Sequence, residues 1–215
     1  MRDFIRLKAW FFVPFVFLLV LSAGMMTLMP KGDLHLSMNE FHSSFFDHFF
    51  SLITWMGNGF FILSLWFLLC FFSFRLSAYI ITTYAFTGIF VQLLKRLFFN
   101  DMLRPAGYFG DPSPLYIVEG IKMLYRHSFP SGHAATAFGL FLCLAMATGK
   151  KSLHFLYLVL AVLTAYSRIY LSQHFLMDVA AGALIGAAGS LILYPWFYRH
   201  DKKWHHLSLL TWNKK

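Results

Sequence analysis

The chain has 215 residues, of which 59% are hydrophobic and 20% aromatic; only 13% are charged, and the formal net charge is +9. Because a soluble domain carries about a quarter charged residues, this composition excludes an ordinary water-soluble globule, and so apolar a chain cannot stay disordered in water. Two cysteines inside apolar runs, Cys70 and Cys143, exclude a secreted module held by disulfides. The composition predicts an all-α integral membrane protein, with residues 1–215 forming a single domain.

The hydropathy pattern predicts six transmembrane helices, because one span needs about 20 mostly apolar residues. The first runs from Trp10 to Met29 without a charge. The alternative for this run is a cleaved signal peptide, with Ser22-Ala23-Gly24 as the cleavage site. The other five predicted spans lie at about residues 59–74, 77–94, 132–148, 153–171 and 179–198, and a basic tail over about 199–215 closes the chain.

Residues 34–57 interleave histidine and acidic side chains with phenylalanines. This pattern is too polar to span and is typical of an amphipathic helix that lies in the membrane interface. A metal site that includes Asp33 or Asp47 is the alternative, but the irregular histidine spacing favours solvated interfacial histidines. We therefore predict a polytopic membrane protein with six transmembrane helices, one interfacial amphipathic helix and no metal or other cofactor.

The distribution of basic residues predicts the topology. Six spans place both termini on one side, and the positive-inside rule makes that side cytoplasmic. The cytoplasmic segments then hold 11 of the 18 basic residues, which explains the charge without a nucleic-acid partner: Arg2, Arg6, Lys8, Arg75, Lys150, Lys151, Arg199, Lys202, Lys203, Lys214 and Lys215. Seven remain on the outer side: Lys31, Lys95, Arg96, Arg104, Lys122, Arg126 and Arg168. The six from Lys95 onward cluster near the outer ends of spans three to five, where we expect a site for a doubly charged anion.

His174 and Asp178 stand four residues apart, at the predicted start of span six. On one helical face, the carboxylate can hold one imidazole nitrogen and fix the tautomer. The other nitrogen is then free to attack as a nucleophile. A purely structural, buried His–Asp hydrogen bond is the alternative.

Pro130-Ser131-Gly132-His133 opens predicted span four. A helix N-terminus with a glycine lets an anion approach free N–H groups, and His133 there could donate a proton to a leaving oxygen. The alternative is an ordinary serine N-cap. The guanidinium groups of Arg104 and Arg168 can each form paired hydrogen bonds to phosphate oxygens, and Lys95 presents a point charge. The alternative is that all three side chains only extend to the lipid headgroups.

These motifs resemble the signature of the type-2 phosphatidic acid phosphatase superfamily, and the resemblance extends over about residues 60–198. The PSGH run at 130–133 and the SRxxxxxHxxxD pattern from Ser167 to Asp178 match that signature residue for residue. The pair of motifs is highly specific. Elsewhere, glycines on span six, at 182, 186 and 189, indicate a packing face for another helix.

The first motif departs from the family pattern of Lys, six residues and then Arg-Pro. Arg104-Pro105 would place that lysine at Leu97, so the nearest cations are Lys95 and Arg96. We favour Lys95, because a loop after Phe98 absorbs extra residues more cheaply than a packed span does.

The resemblance implies a bacterial membrane lipid phosphatase in the inner membrane, with its active site facing outward. It implies that His174 forms a phosphohistidine, that Asp178 orients it, and that His133 acts first as general acid and then as base. The residues implied to hold phosphoryl oxygens are Lys95, Arg104, Ser131, Gly132 and Arg168. Cations and N–H groups would replace a metal in neutralising charge.

The implied substrate is a phosphomonoester or diphosphate on a lipid of the bilayer, such as phosphatidylglycerol phosphate, phosphatidic acid, undecaprenyl diphosphate or a lipid A phosphate. One alternative is a phosphotransferase that passes the phosphoryl group to the hydroxyl of another lipid. The other is a non-catalytic phospholipid-binding or transport protein. The His174–Asp178 pair and His133 speak against the latter, since binding alone needs neither a nucleophile nor a proton donor.

Overall fold

The computed structural model describes residues 2–111, 113–199 and 201–211, with side chains from Lys8 onward. These residues form helices and loops without a β-strand, so the predicted all-α class is confirmed. Four of the basic residues assigned to the cytoplasmic side, namely Lys214, Lys215 and the side chains of Arg2 and Arg6, lie outside the described residues.

The α-helices of the described chain are α1 (Arg2–Leu28), α2 (Lys31–Met38), α3 (Ser44–Ile53), α4 (Gly59–Cys70), α5 (Phe74–Leu93), α6 (Pro105–Phe109), α7 (Gly132–Ala147), α8 (Lys151–Tyr170) and α9 (Leu176–Tyr198). A 3-10 turn at Thr54–Gly57 joins α3 to α4, and a π-helical turn at Leu94–Phe98 extends α5. A second 3-10 turn, Lys203–His206, follows α9.

Four of the described helical segments are long and apolar enough to cross a membrane: Lys8–Leu28, Phe74–Phe98, Lys151–Tyr170 and Leu176–Tyr198. Ser44–Gly57 and Gly59–Cys70 form a pair bent by 59°, which makes a fifth when it is counted as one span. Helix α7 is apolar but has only 16 residues. The chain is thus a polytopic helical membrane protein, and the six-span count stays a prediction.

The segment 34–57 is not one continuous amphipathic helix. Ser43 starts α3 as an N-cap, with its hydroxyl oxygen accepting the N–H of Phe46 at 3.3 Å, and Asn58 caps α4 in the same way. His35 is only 2% exposed, so the interpretation of this residue as solvated is wrong. The interfacial position of the segment stays a prediction.

Helix α7 lies at the centre of the bundle and packs directly against α9. A Cβ atom on Gly182 would lie 2.3 Å from the carbonyl oxygen of Ser131, and one on Gly186 would lie 2.2 Å from that of Ala135. Both distances are far inside van der Waals contact, so the two backbones touch where glycine stands. The predicted packing face on α9 is confirmed.

Helix α1 is fastened to the opposite end of α7. The ammonium group of Lys8 donates to the carbonyl oxygens of Ala145 at 2.7 Å, Met146 at 3.0 Å and Thr148 at 3.2 Å. These carbonyls end α7 and have no partner within the helix, so a cation there is favourable. Phe11 and Phe15 of α1 are part of the buried core.

We expect Gly186→Ala to destabilise the protein by about 1–3 kcal/mol, because the added methyl group overpacks the α7–α9 contact. The matched control is Gly24→Ala on α1, where a Cβ meets nothing within 4 Å. Thermal unfolding of both variants in detergent measures the difference. Equal melting temperatures for the two variants would show that the glycine contact does not hold the bundle together.

Candidate active site

The structure brings the three motifs together at one end of the bundle. That end contains the π turn after α5, the segment before α6, the N-terminus of α7, and the loop from α8 to α9. The predicted site residues that are buried there are Lys95, Arg104, Ser131, Arg168, His174 and Asp178. His133 is partly exposed, and its ionisable neighbours are Arg168, His174, Arg104 and Lys95.

One oxygen of Asp178 organises the loop that carries His174. This Oδ2 atom accepts the hydroxyl of Ser128 at 2.5 Å and the N–H of Phe175 at 2.9 Å, and it lies 3.4 Å from Nδ1 of His174. Because Asp178 is in the first turn of α9, the same carboxylate closes the start of the helix and faces the imidazole. Nε2 is the imidazole nitrogen that Asp178 does not hold.

The loop that carries His174 is tied back to the end of α8. The N–H groups of Gln173 and His174 both donate to the carbonyl oxygen of Arg168, at 2.8 and 3.0 Å. Burial lowers the pKa of His174 well below its usual value, and the nearby charges of Arg104 and Lys95 lower it further. The imidazole is therefore neutral near pH 7, which is the form that a nucleophile needs.

Arg168 presents an unused donor to the site. Its Nη1 donates to the hydroxyl oxygen of Thr54 at 2.8 Å, which fixes the plane of the guanidinium group. Its Nε is buried and has no hydrogen-bond partner among the described residues. A buried donor without a partner costs free energy, so this N–H is set up for an acceptor such as a phosphoryl oxygen.

Lys95 and Arg104 are held by main-chain carbonyls. The ammonium group of Lys95 donates to the carbonyl oxygen of His127 at 2.7 Å, and Arg104 donates to those of Arg126 at 2.9 Å and Gln173 at 3.1 Å. Within the described chain, neither these two cations nor Arg168 form an ion pair with a carboxylate. Three positive charges thus remain largely uncompensated around the site.

The irregular first motif is accommodated by the π turn and the loop that follows it. Phe99 donates its N–H to the carbonyl oxygen of Leu94 at 3.0 Å, which closes the wide turn. Turns of this kind occur mostly as local widenings of α-helices and often mark functional sites. Lys95 is buried inside the site, whereas Arg96 is exposed and lines a groove beside it.

The N-terminus of α7 is fixed from two sides. Ser131 is its N-cap, accepting the N–H of Ala134 at 3.4 Å, and the N–H of Ser131 donates to the carbonyl oxygen of Asp178 at 2.8 Å. The first N–H groups of the helix, from Gly132 onward, lack intrahelical partners. They adjoin the cations of the site, which makes this end a place for an anion.

Several residues that shape the site were not predicted. Ser128 and Gln173 lie inside the quoted motifs and could have been flagged by their position alone. Gly57 packs so closely that a Cβ there would be 3.0 Å from the Cβ of His133, and neither Gly57 nor Thr54 carries a local signal. In contrast, the predicted cations Lys122 and Arg126 have exposed side chains and contribute carbonyl oxygens instead: Lys122 to Gln173, and Arg126 to Arg104.

The histidines before α4 form hydrogen bonds and ring contacts. His42 stacks on Tyr116 with ring centroids 3.7 Å apart and lies 3.7 Å from Asp47. The hydroxyl groups of Tyr116 and Tyr170 donate to the same carboxylate at 2.9 and 2.5 Å. Across the described ranges, no three His, Cys, Asp or Glu side chains are grouped closely enough to hold a metal ion.

A groove of about 640 Å³ leads away from His133 between the start of α4, α5 and α7. Four glycines keep it open, at 57, 59, 88 and 132. Its α5 side extends from Tyr84 to Arg96, which is roughly 18 Å at the rise of about 1.5 Å per residue. The groove therefore reaches well into a membrane whose core is about 30 Å thick.

Comparison with known proteins agrees with this arrangement. A lipid A 4'-phosphatase of Bacteroides thetaiotaomicron is 31% identical over 170 residues, which cover 75% of this chain and 74% of that protein. The crystal structure of Aquifex aeolicus LpxE has a TM-score of 0.66 at 29% identity and covers 74% of this chain and 92% of its own. The PAP2-type phosphatidylglycerolphosphate phosphatase of Bacillus subtilis shares the fold, with a TM-score of 0.64 at 20% identity over 94% of this chain and 100% of its own.

The matched region coincides with the site. Residues 76–202, more than half of the chain, match the PAP2 superfamily and include all three motifs. The resemblance that the motifs indicated is confirmed, as is the prediction of a phosphatase that acts on lipids. The chain belongs to the PAP2 superfamily and is a membrane lipid phosphatase.

Proposed function

We propose that this phosphatase removes a phosphate monoester from a lipid A-type glycolipid through a covalent intermediate on His174. The observation that carries the mechanism is the neutral imidazole held by Asp178 beside three cations that form no ion pair with a carboxylate of the described residues. The observation that supports the substrate is the similarity to a lipid A 4'-phosphatase over three quarters of the chain.

In the first step, Nε2 of His174 attacks phosphorus while the P–O bond to the lipid breaks, and His133 gives its proton to the leaving lipid oxygen. In the second step, His133 takes a proton from water, whose oxygen displaces Nε2 and releases inorganic phosphate. Asp178 keeps the proton on Nδ1 throughout. The two steps restore both histidines.

The charge on the transferred phosphoryl group is neutralised by residues of the chain. Lys95, Arg104 and Arg168 face its oxygens, and the free N–H groups at the start of α7, from Gly132 onward, hold them. These groups supply the positive charge that a metal ion supplies in other phosphoryl-transfer sites. The reaction is therefore independent of metal.

The site faces the outer side of a bacterial inner membrane in a chain that crosses six times. The site residues lie at the ends of α5 and α8 and the starts of α7 and α9, all on one end of the bundle. The basic residues of the other end include the partly exposed Arg75 and the exposed pairs Lys150-Lys151 and Lys202-Lys203. By the positive-inside rule that end is cytoplasmic, with both termini.

The test is phosphate release by the purified protein in detergent with EDTA, over lipid A phosphates, phosphatidylglycerol phosphate, phosphatidic acid and undecaprenyl diphosphate. We expect the highest kcat/KM for a lipid A phosphate and no effect of the chelator. Preference for another lipid would refute the substrate, and loss of activity in EDTA restored by Mg²⁺ would refute the metal-free mechanism. Transfer to an acceptor lipid instead of free phosphate would identify a phosphotransferase.

His174→Ala should lower turnover by about 10³-fold or more, because it removes the nucleophile. The matched control is His206→Ala, an exposed histidine at the opposite end of the bundle, which should keep wild-type turnover. Both variants are assayed with the same lipid phosphate. Near-normal phosphate release by folded His174→Ala would eliminate the phosphohistidine mechanism.

Lys95→Ala should lower kcat by about 10²-fold, as the loss of one charge-stabilising donor does, whereas Arg96→Ala should keep it within about threefold. The reason is position, since Lys95 is buried in the site and Arg96 is exposed in the groove. Alanine variants at saturating lipid measure the difference. The reverse order of effects would assign the phosphate contact to Arg96.

Gly88→Phe should block the groove and lower kcat/KM for a long-chain lipid phosphate by about tenfold or more. A Cβ at Gly88 meets nothing within 4 Å, so the backbone tolerates the change and the ring enters the groove. A water-soluble short-chain phosphomonoester should be hydrolysed at the wild-type rate. If both substrates are affected equally, the groove does not hold the lipid chain.

A further inference from the structure

We propose that helix α2 supports the loop that carries His174, and that Lys31 at the start of α2 is a positioning residue for the His174–Asp178 pair. This inference rests on the proposed function of that pair. Helix α2 lies outside residues 76–202, the part of the chain that matches the family. Lys31 is also the one basic residue predicted on the outer side that does not belong to the cluster predicted to bind an anion.

One face of α2 follows the loop along its length. Lys31, His35 and Asn39 are spaced by four residues, so their side chains project from the same face. The amide of Asn39 donates to the carbonyl oxygen of Tyr170 at 2.9 Å, and Nε2 of His35 lies 3.4 Å from the hydroxyl of Ser172. The ammonium group of Lys31 lies 3.8 Å from the ring centroid of Phe175. The three contacts span the loop from its first residue to its last.

The loop needs such support because its backbone is strained. Ser172 has a φ of 49°, in the left-handed region that residues other than glycine seldom adopt. A strained residue persists only where its surroundings determine its conformation, and such residues concentrate at active sites. Ser172 stands two residues before His174, and its hydroxyl lies 3.4 Å from Nε2 of His35 on α2.

Lys31 acts on the pair through Phe175. The ring of Phe175 carries the ammonium group on its face, and the N–H of the same residue donates to Oδ2 of Asp178 at 2.9 Å. The edge of the Tyr108 ring packs against Phe175 with centroids 5.5 Å apart, so the ring is confined from two sides. Movement of Phe175 would carry His174 with it, because the two residues are adjacent.

The charge of Lys31 also acts electrostatically on the His174–Asp178 pair. Burial lowers the pKa of Lys31, and the attraction of Asp178 raises it. The titratable groups that face the ammonium group are His35 on α2, Tyr108 on α6 and Asp178 on α9. A positive charge at this place disfavours the binding of a proton by the groups around it. Removal of the charge should therefore make protonation of the His174–Asp178 pair easier.

The test compares Lys31→Met with Lys31→Arg. Lys31→Met keeps an apolar stem of similar length and should lower kcat about tenfold with KM nearly unchanged, because the lipid contacts are intact. The acid limb of its rate profile should move to higher pH, because the His174–Asp178 pair is protonated more easily without the positive charge. Lys31→Arg restores a cation over the ring and should recover most of kcat and the original profile.

Two further variants separate positioning from general loss of structure. Asn39→Ala removes the neutral contact with Tyr170 and should lower kcat without moving the acid limb. This variant tests the inference if Lys31→Met does not fold. Lys151→Met, an exposed lysine at the other end of the bundle, should match wild type. Hydrogen exchange of the peptide 170–176 should be faster in Lys31→Met and Asn39→Ala than in Lys151→Met.

The outcomes distinguish this inference from the proposed function. If the wild-type protein releases phosphate but Lys31→Met and Lys151→Met have the same kcat, acid limb and hydrogen-exchange rate, Lys31 does not position the loop and the phosphatase mechanism stands. If Asn39→Ala also leaves kcat and exchange unchanged, no contact of α2 positions the loop. If His174→Ala keeps full activity, the proposed mechanism fails first.

Discussion

The contact between α7 and α9 is the constraint on which the site depends. The N-terminus of α7 touches the first turns of α9 because glycine stands at 182 and 186, where a Cβ would overlap a carbonyl oxygen. This approach lets the N–H of Ser131 donate to the carbonyl oxygen of Asp178 and places the N-terminus of α7 beside the loop that carries His174. Two motifs that are about 40 residues apart in sequence are brought together because α9 carries no side chain at the two positions that touch the α7 backbone.

The second constraint is electrostatic. Lys95, Arg104 and Arg168 are buried, and their donors are held by carbonyl oxygens and one hydroxyl rather than by carboxylates. These oxygen atoms fix the position of each cation but do not neutralise its charge. Burial of like charges costs free energy in the folded protein. In the proposed mechanism, a doubly charged phosphoryl group offsets this cost when it binds, so part of its binding free energy comes from relief of the repulsion among the three cations.

The sequence predicted the helical class, the packing face of α9 and the residues that meet at the site, because these follow from composition, spacing and short motifs. It could not predict that Thr54 orients Arg168 or that Gly57 makes room for His133, since both are contacts between distant parts of the chain with no local pattern. The π turn was missed for a related reason. The extra residues of the first motif favoured a longer loop over a shifted helix, whereas the hydrogen bond accepted by the carbonyl of Leu94 shows that the helix itself widens.

The region that precedes the family match completes the site from the opposite side. Thr54 and Gly57 contact Arg168 and His133, and the face of α2 that begins at Lys31 follows the loop that carries His174. Helix α1 connects this region to the far end of α7 through Lys8. The N-terminal part is thus attached to the rest of the bundle at both ends, by Lys8 at one end and by Thr54 and the face of α2 at the other.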